Sequence, residues 1–218
     1  MKFEIATRCI ASSAGQDRVF ARILDDIAIV AVTDGAGGRA GGGEAAQRVI
    51  DEAAEIAPNV RNPRDPKFWA RWLHEVDVLI RDDAQAGETT AIIAAVGEDF
   101  VAGASVGDSS AWLIGAEDWF DLTGNQTRKP FLGFGGASPM PFLARWSGQT
   151  LLLATDGLTK YADWQHLAQI ARGAEIETAA DELIAAVRLP SRAFPDDVSC
   201  ILCRAGCEIQ PRKRFGLF

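Results

Sequence analysis

Thr89–Gly115 reads TTAIIAAVGEDFVAGASVGDSSAWLIG. The composition predicts two strands, TTAIIAAVGED and FVAGASVGDSSAWLIG, with a turn at Glu98-Asp99. A connection this short joins antiparallel neighbours, because parallel strands need a crossover of about a dozen residues. The fold is therefore not a doubly wound parallel sheet. Upstream, Phe3–Ser12 alternates like a strand, and Val19–Leu24 and Ile27–Asp34 form a hairpin around Asp25-Asp26. Ile27–Val32 is apolar at every position, as expected of a strand buried on both faces. The glycine-rich stretch Gly35–Gly43 opens into an amphipathic helix, Glu44–Ala57, which Pro58 stops. A second helix is predicted over Lys67–Gln85, ending before Gly87. Downstream, Leu122–Leu143 reads as irregular, Thr150–Gly157 as a buried strand, Trp164–Gly173 and Glu175–Pro190 as helices, and Asp196–Gly206 as a last strand. Strands, two helices, strands, two helices and a strand predict an α+β fold: a four-layer αββα sandwich of two antiparallel sheets flanked by helix pairs. One domain is expected over 1–206, with a C-terminal tail at 207–218.

The chain has 218 residues, 48% hydrophobic, and a formal net charge of -8. An acidic chain is a poor general ligand for nucleic acid or an anionic membrane, so neither is an expected partner. No run approaches the ~20 apolar residues of a membrane span. The first residues lack a signal-peptide core, so a cytoplasmic location and a monomer are the expectations. Of the four cysteines, Cys200 and Cys203 lie three apart in a predicted strand and face opposite ways. Packing thiols fit better than a zinc site.

Aspartate recurs where apolar strands end or begin: Asp17, Asp34 followed by Gly35, Asp108, Asp156 followed by Gly157, and the pair Asp196-Asp197. One Asp-Gly is an ordinary turn. Several at one edge of a sandwich form a cluster that repels itself unless protons or hard divalent cations neutralise it. Glycine after Asp34 lets the backbone carbonyl come close to a cation. The chain has only two histidines, His74 and His166, both in predicted helices near tryptophans. No Ser-His-Asp set, P-loop or HExxH motif is present. An enzyme built this way activates its nucleophile without histidine or cysteine, and water on a metal does that.

These segments resemble the type 2C metal-dependent serine/threonine protein phosphatases, especially small bacterial members. TDGAGGRAGGGEAA is similar to the family's DGxGG motif and helix, GETTA to its G-[ST]-T-A segment, and VGDSSAWLI to its GDS strand. LLLATDGL is similar to its [ST]-D-G-L motif and DDVSCILC to its D-N-[IV]-T strand. The resemblance implies hydrolysis of phosphoserine and phosphothreonine on proteins by a water bridging two metals, Mn2+ or Mg2+. It also implies a third, weaker metal. Asp34 would bridge the two metals, with Asp17 and the Gly35 carbonyl on one side and Asp156 and Asp196 on the other. Asp108 would bind the additional ion. Asp34 and Asp156 are the expected catalytic positions. A phosphoprotein substrate and an opposing kinase are the implied partners.

Three departures stand out. Ser12 occupies the place of the family's phosphate-gripping arginine, leaving Arg8, Arg18 and Arg39 as open substitutes. The D-N pair is Asp196-Asp197, with Asp196 in the ligand position. The segment between Asp108 and Asp156 is short, so Thr123–Met140 is the remnant of the family's flap. Loss of that arginine also leaves open a weakly active regulatory module.

Overall fold

The structure is a computed structural model and describes residues 2–12, 15–36, 40–173 and 175–206. The predicted tail at 207–218, with Cys207, lies outside the described residues, as does Arg39. Ten strands form two five-stranded antiparallel sheets. The first five strands are β1 (Phe3–Ile10), β2 (Arg18–Leu24), β3 (Ile27–Thr33), β4 (Ala91–Val96) and β5 (Phe100–Val106). The others are β6 (Ser110–Ile114), β7 (Trp119–Asp121), β8 (Met140–Arg145), β9 (Thr150–Ala154) and β10 (Val198–Ala205). One sheet runs β1-β10-β9-β6-β7 and the other β2-β3-β4-β5-β8. Helices α1 (Gly42–Ile56) and α2 (Pro66–Arg81) cover the second sheet, and α4 (Trp164–Ala171) and α5 (Ile176–Ala186) cover the first. A single helical turn, α3 (Asp156–Thr159), follows β9. The predicted four-layer sandwich is the observed architecture.

The apolar strands follow from this layering. Val30 and Val32 of β3 meet Leu151 and Leu153 of the opposite sheet, whereas Ile29 and Ala31 pack under α1 and α2 with Val49 and Trp69. Every second residue thus serves a different core, so the strand is apolar throughout. Cys200 packs toward α4 and α5 while Cys203 lies between the sheets. Both thiols are free and buried.

Three sequence expectations are corrected. FVAGASVGDSSAWLIG is two strands, β5 and β6, which lie in different sheets. The chain crosses between them at Gly107, whose φ of 107° is open to glycine at little steric cost. Thr150–Gly157 is strand only to Ala154, and Asp156 begins α3. Leu122–Leu143 is not wholly irregular, because β8 starts at Met140 on the sheet edge. Pro139 just before it and Pro141 within it hide the strand pattern, and proline is tolerated at an edge.

The short segment before β8 is held from below by a buried carboxylate. Asp77 of α2 accepts hydrogen bonds from the backbone N–H groups of Gly133 (2.7 Å), Gly135 (3.0 Å) and Ala137 (3.0 Å). Asp77 is fully buried. Asp77→Ala strands these donors and removes charge-assisted bonds worth about 1.5–3 kcal/mol each before non-additivity. Chemical denaturation is expected to show a loss of about 3 kcal/mol or more. A loss below about 1 kcal/mol contradicts the anchoring role.

Candidate metal centre and active site

Strand register brings the aspartates to one edge. Arg18 pairs with Thr33, which sets Asp17 beside Asp34 at the mouth of the β2–β3 hairpin. Ala91 pairs with Val106, so the turn carrying Asp108 lies at the same end. In the other sheet Ala154 pairs with both Ser110 and Cys200, which draws Asp156 toward Asp108 and toward Asp196-Asp197. The two sheets meet there at a cleft of about 540 Å³ lined by Asp34, Gly35, Asp108, Asp156, Asp196 and Lys160, among others. Asp17 lies buried behind Asp34.

Hydrogen bonds fix the Asp34 backbone and the Asp17 carboxylate. The Asp34 N–H donates to Thr90 Oγ1 (3.1 Å), and its carbonyl accepts from the Thr90 N–H (2.9 Å) and Thr89 Oγ1 (2.9 Å). The GETTA segment therefore splints the DG turn. Thr155 Oγ1 donates to Asp17 Oδ2 (2.8 Å) and accepts from the Ser199 N–H (2.9 Å), joining β9, β10 and the start of β2 at one atom. Gly157 sits so close to the Asp197 carbonyl that a Cβ there would collide with backbone. Glycine at this position lets α3, and Asp156 with it, close against Asp196-Asp197.

The two adjacent aspartates divide the work. Asp197 accepts from the Ser12 N–H (2.7 Å), Ser12 Oγ (3.0 Å) and the Gln16 N–H (2.6 Å), and so shapes the loop leading to Asp17. Asp196 lines the cleft and accepts the Asp197 N–H at 2.9 Å.

Electrostatics reflect the crowding. Burial, then the charges of Asp17, Asp156 and Asp108, push Asp34 up to about 9. Burial pushes Asp17 up to about 6 against the hydrogen bond from Thr155. Asp108 is raised by burial and Asp156, with Lys160 and Arg128 opposing. The amine of Lys160, four residues after Asp156 on the same helical turn, forms an ion pair with Asp156 Oδ2.

The donor chemistry fits a hard divalent cation. Asp17 Oδ1 is buried with no hydrogen bond of good geometry, its polar neighbours being Ser199 and Asp34, and two buried carboxylates side by side are costly unless a proton or a cation is shared between them. Among the described residues no three His, Cys, Asp or Glu side chains form a closed set around one ion. Mg2+-type sites are commonly completed by water around one or two carboxylates.

A sequence profile for protein phosphatase 2C matches residues 7–188. The chain belongs to the protein phosphatase 2C family. The fold agrees with that of the Staphylococcus aureus serine/threonine phosphatase Stp1, at a TM-score of 0.81 with 20% identity over 95% of this chain and 96% of that one. The catalytic domain of serine threonine protein phosphatase PstP, in complex with two manganese ions, matches at 0.78 with 18% identity, covering 93% of this chain and 97% of that one. The Mycobacterium tuberculosis phosphatase PstP/Ppp gives 0.76 and 18%, covering 94% and 99%. A search of curated proteins gives no match.

The candidate substrate arginines fall differently from the aspartates. Arg8 does not line the cleft. Its guanidinium is taken by Asp181 (2.6 Å) and Glu177 (3.0 Å) of α5. Arg18 donates to Gln47 Oε1 (2.9 Å) and to the carbonyls of Gly15 and Asp17 (2.7 Å each), and it borders a neighbouring groove. Lys160 and Lys129, which do line the cleft, were not singled out from sequence. The signal was present for Lys160, because Asp and Lys four apart in a helical turn face each other.

The raised Asp34 gives a sign for pH. Between its ordinary value near 3.8 and about 9 the folded state holds a proton that the unfolded chain has released. Stability of the metal-free protein therefore falls as pH rises through that window. Melting curves in chelator are expected to show this decline, and Asp34→Asn to flatten it. An unchanged slope in the variant contradicts the assignment to Asp34.

Proposed function

We propose that this phosphatase hydrolyses phosphoserine and phosphothreonine on proteins with two divalent cations, Mn2+ or Mg2+, held by the aspartate cleft. The buried Asp17 Oδ1 beside Asp34, with no hydrogen bond of good geometry, carries the reading. Asp17, Asp34, the Gly35 carbonyl, Asp156 and Asp196 would hold the two cations, and Asp108, on the wall of the same cleft, would take a weaker third. When bound, the cations supply an activated water and neutralise charge on the phosphoryl oxygens.

The chain's own contribution is preorganisation. Thr89 and Thr90 lock the Asp34 turn, Thr155 sets Asp17, and Asp197 fixes the loop before it. These hydrogen bonds are in place before substrate arrives, so little rearrangement is left for the reaction step. The partners of this reading are a phosphoprotein substrate and the kinase that opposes it. The setting is cytoplasmic signalling by a monomer. No described helix is long and apolar enough to cross a membrane.

Hydrolysis of a phosphopeptide is expected to require Mn2+ or Mg2+ and to stop in chelator. Asp34→Asn and Asp156→Asn are each expected to lower kcat by orders of magnitude, because each removes a charged ligand. Asp108→Asn should cost far less at saturating metal. Full activity in chelator, or equal losses at all three positions, contradicts the proposed site.

A further inference from the structure

The cleft has a charge problem that its own cations address. Six carboxylates line it, from Asp34, Glu88, Asp108, Asp156, Asp196 and Asp197, against two lysines among the described residues. A phosphoryl dianion approaching this wall meets repulsion unless positive groups stand at the entrance. Arg8 and Arg18 do not line the cleft, and Ser12 spends its hydroxyl on Asp197. Lys129 lies over the ring of Phe131, 5.5 Å from its centroid. Lys160 is placed at the centre of the acidic wall. It pairs with Asp156, and Asp108 and Asp196 also act on its charge. Its side chain is 52% exposed, so one end is anchored on α3 while the amine is free to change partner.

We propose that Lys160 is an exchangeable internal cation, which competes with a divalent ion for Asp156 and, when displaced, holds the phosphoryl oxygens of the substrate. This rests on the proposed two-cation phosphatase site. One carboxylate oxygen cannot face both an ammonium and a divalent ion at full strength. The four-carbon stem of lysine lets the amine swing by several ångströms without moving Asp156. Displaced, the amine stays at the cleft mouth, where a compact ammonium suits a phosphate as a point charge. Metal loading and phosphate capture are thereby coupled through one side chain.

The test uses calorimetric Mn2+ titration without phosphate, alongside kcat and KM for a phosphopeptide at saturating Mn2+. It compares wild type, Lys160→Met, Lys160→Arg and Lys129→Met. Lys160→Met is expected to bind Mn2+ about 2- to 5-fold more tightly, the scale of one partly exposed ion pair. Its KM is expected to rise about tenfold, the lower range for a charge-assisted hydrogen bond, with a smaller change in kcat. Lys160→Arg should recover most of the phosphate affinity. The inference is overturned if Mn2+ affinity or KM is unmoved in Lys160→Met, or if the KM loss falls on Lys129→Met instead. If wild type neither binds Mn2+ nor hydrolyses the peptide, the two-cation reading itself fails and this inference with it.

Discussion

The hydroxyl of Thr155 carries the constraint on which the rest of the site depends. It donates to Asp17 while accepting from the Ser199 N–H, so it ties the end of β9 and the start of β10 to the residue that precedes β2. Strands β9 and β10 are neighbours in one sheet, and β2 lies in the other. Strand register brings carboxylates from the two sheets to one edge, where they repel. Neutral partners hold them there: Thr155 for Asp17, and Thr90 with Thr89 for the backbone of Asp34. Each donor is fixed in place by backbone register, so the cluster inherits the rigidity of the sandwich.

The same frame explains why the site departs from simple acidity. Burial and mutual repulsion lift Asp34 to about 9 and Asp17 to about 6. Such a cluster takes up protons or cations to relieve its charge. Lys160 supplies one positive charge from within. Asp197, next to a proposed ligand, accepts three hydrogen bonds from Ser12 and Gln16. Ser12 thus makes a structural contact with Asp197 where the family resemblance places a phosphate-gripping arginine.

Much of this was legible in the sequence because burial on both faces leaves a clear mark. Strands β3 and β9 are apolar at nearly every position, and Asp34 and Asp156, which follow them, line the cleft, with Asp17 buried beside Asp34. The choice of Asp196 over Asp197 as a ligand rests on motif position; both line the cleft, and Asp197 also accepts from the Ser12 and Gln16 N–H groups. What the sequence hid has equally physical causes. The break between β5 and β6 is marked only by Gly107-Asp108-Ser109-Ser110, a turn signal that does not say the next strand joins the other sheet. Strands β7 and β8 are short edge strands with weak alternation. Arg8 was eligible by charge alone, but its partners on α5 are more than 160 residues away in the chain and invisible to local reading.

The most direct test of the account is crystallographic: the protein crystallised with Mn2+, with anomalous diffraction used to locate the ions. The account predicts two strong peaks in the cleft, one touching Asp17 and Asp34 and the other touching Asp34 and Asp156. It also predicts that the Lys160 amine has left Asp156. Peaks outside the cleft, or an Asp156 that keeps its ammonium partner while manganese binds elsewhere, would contradict it.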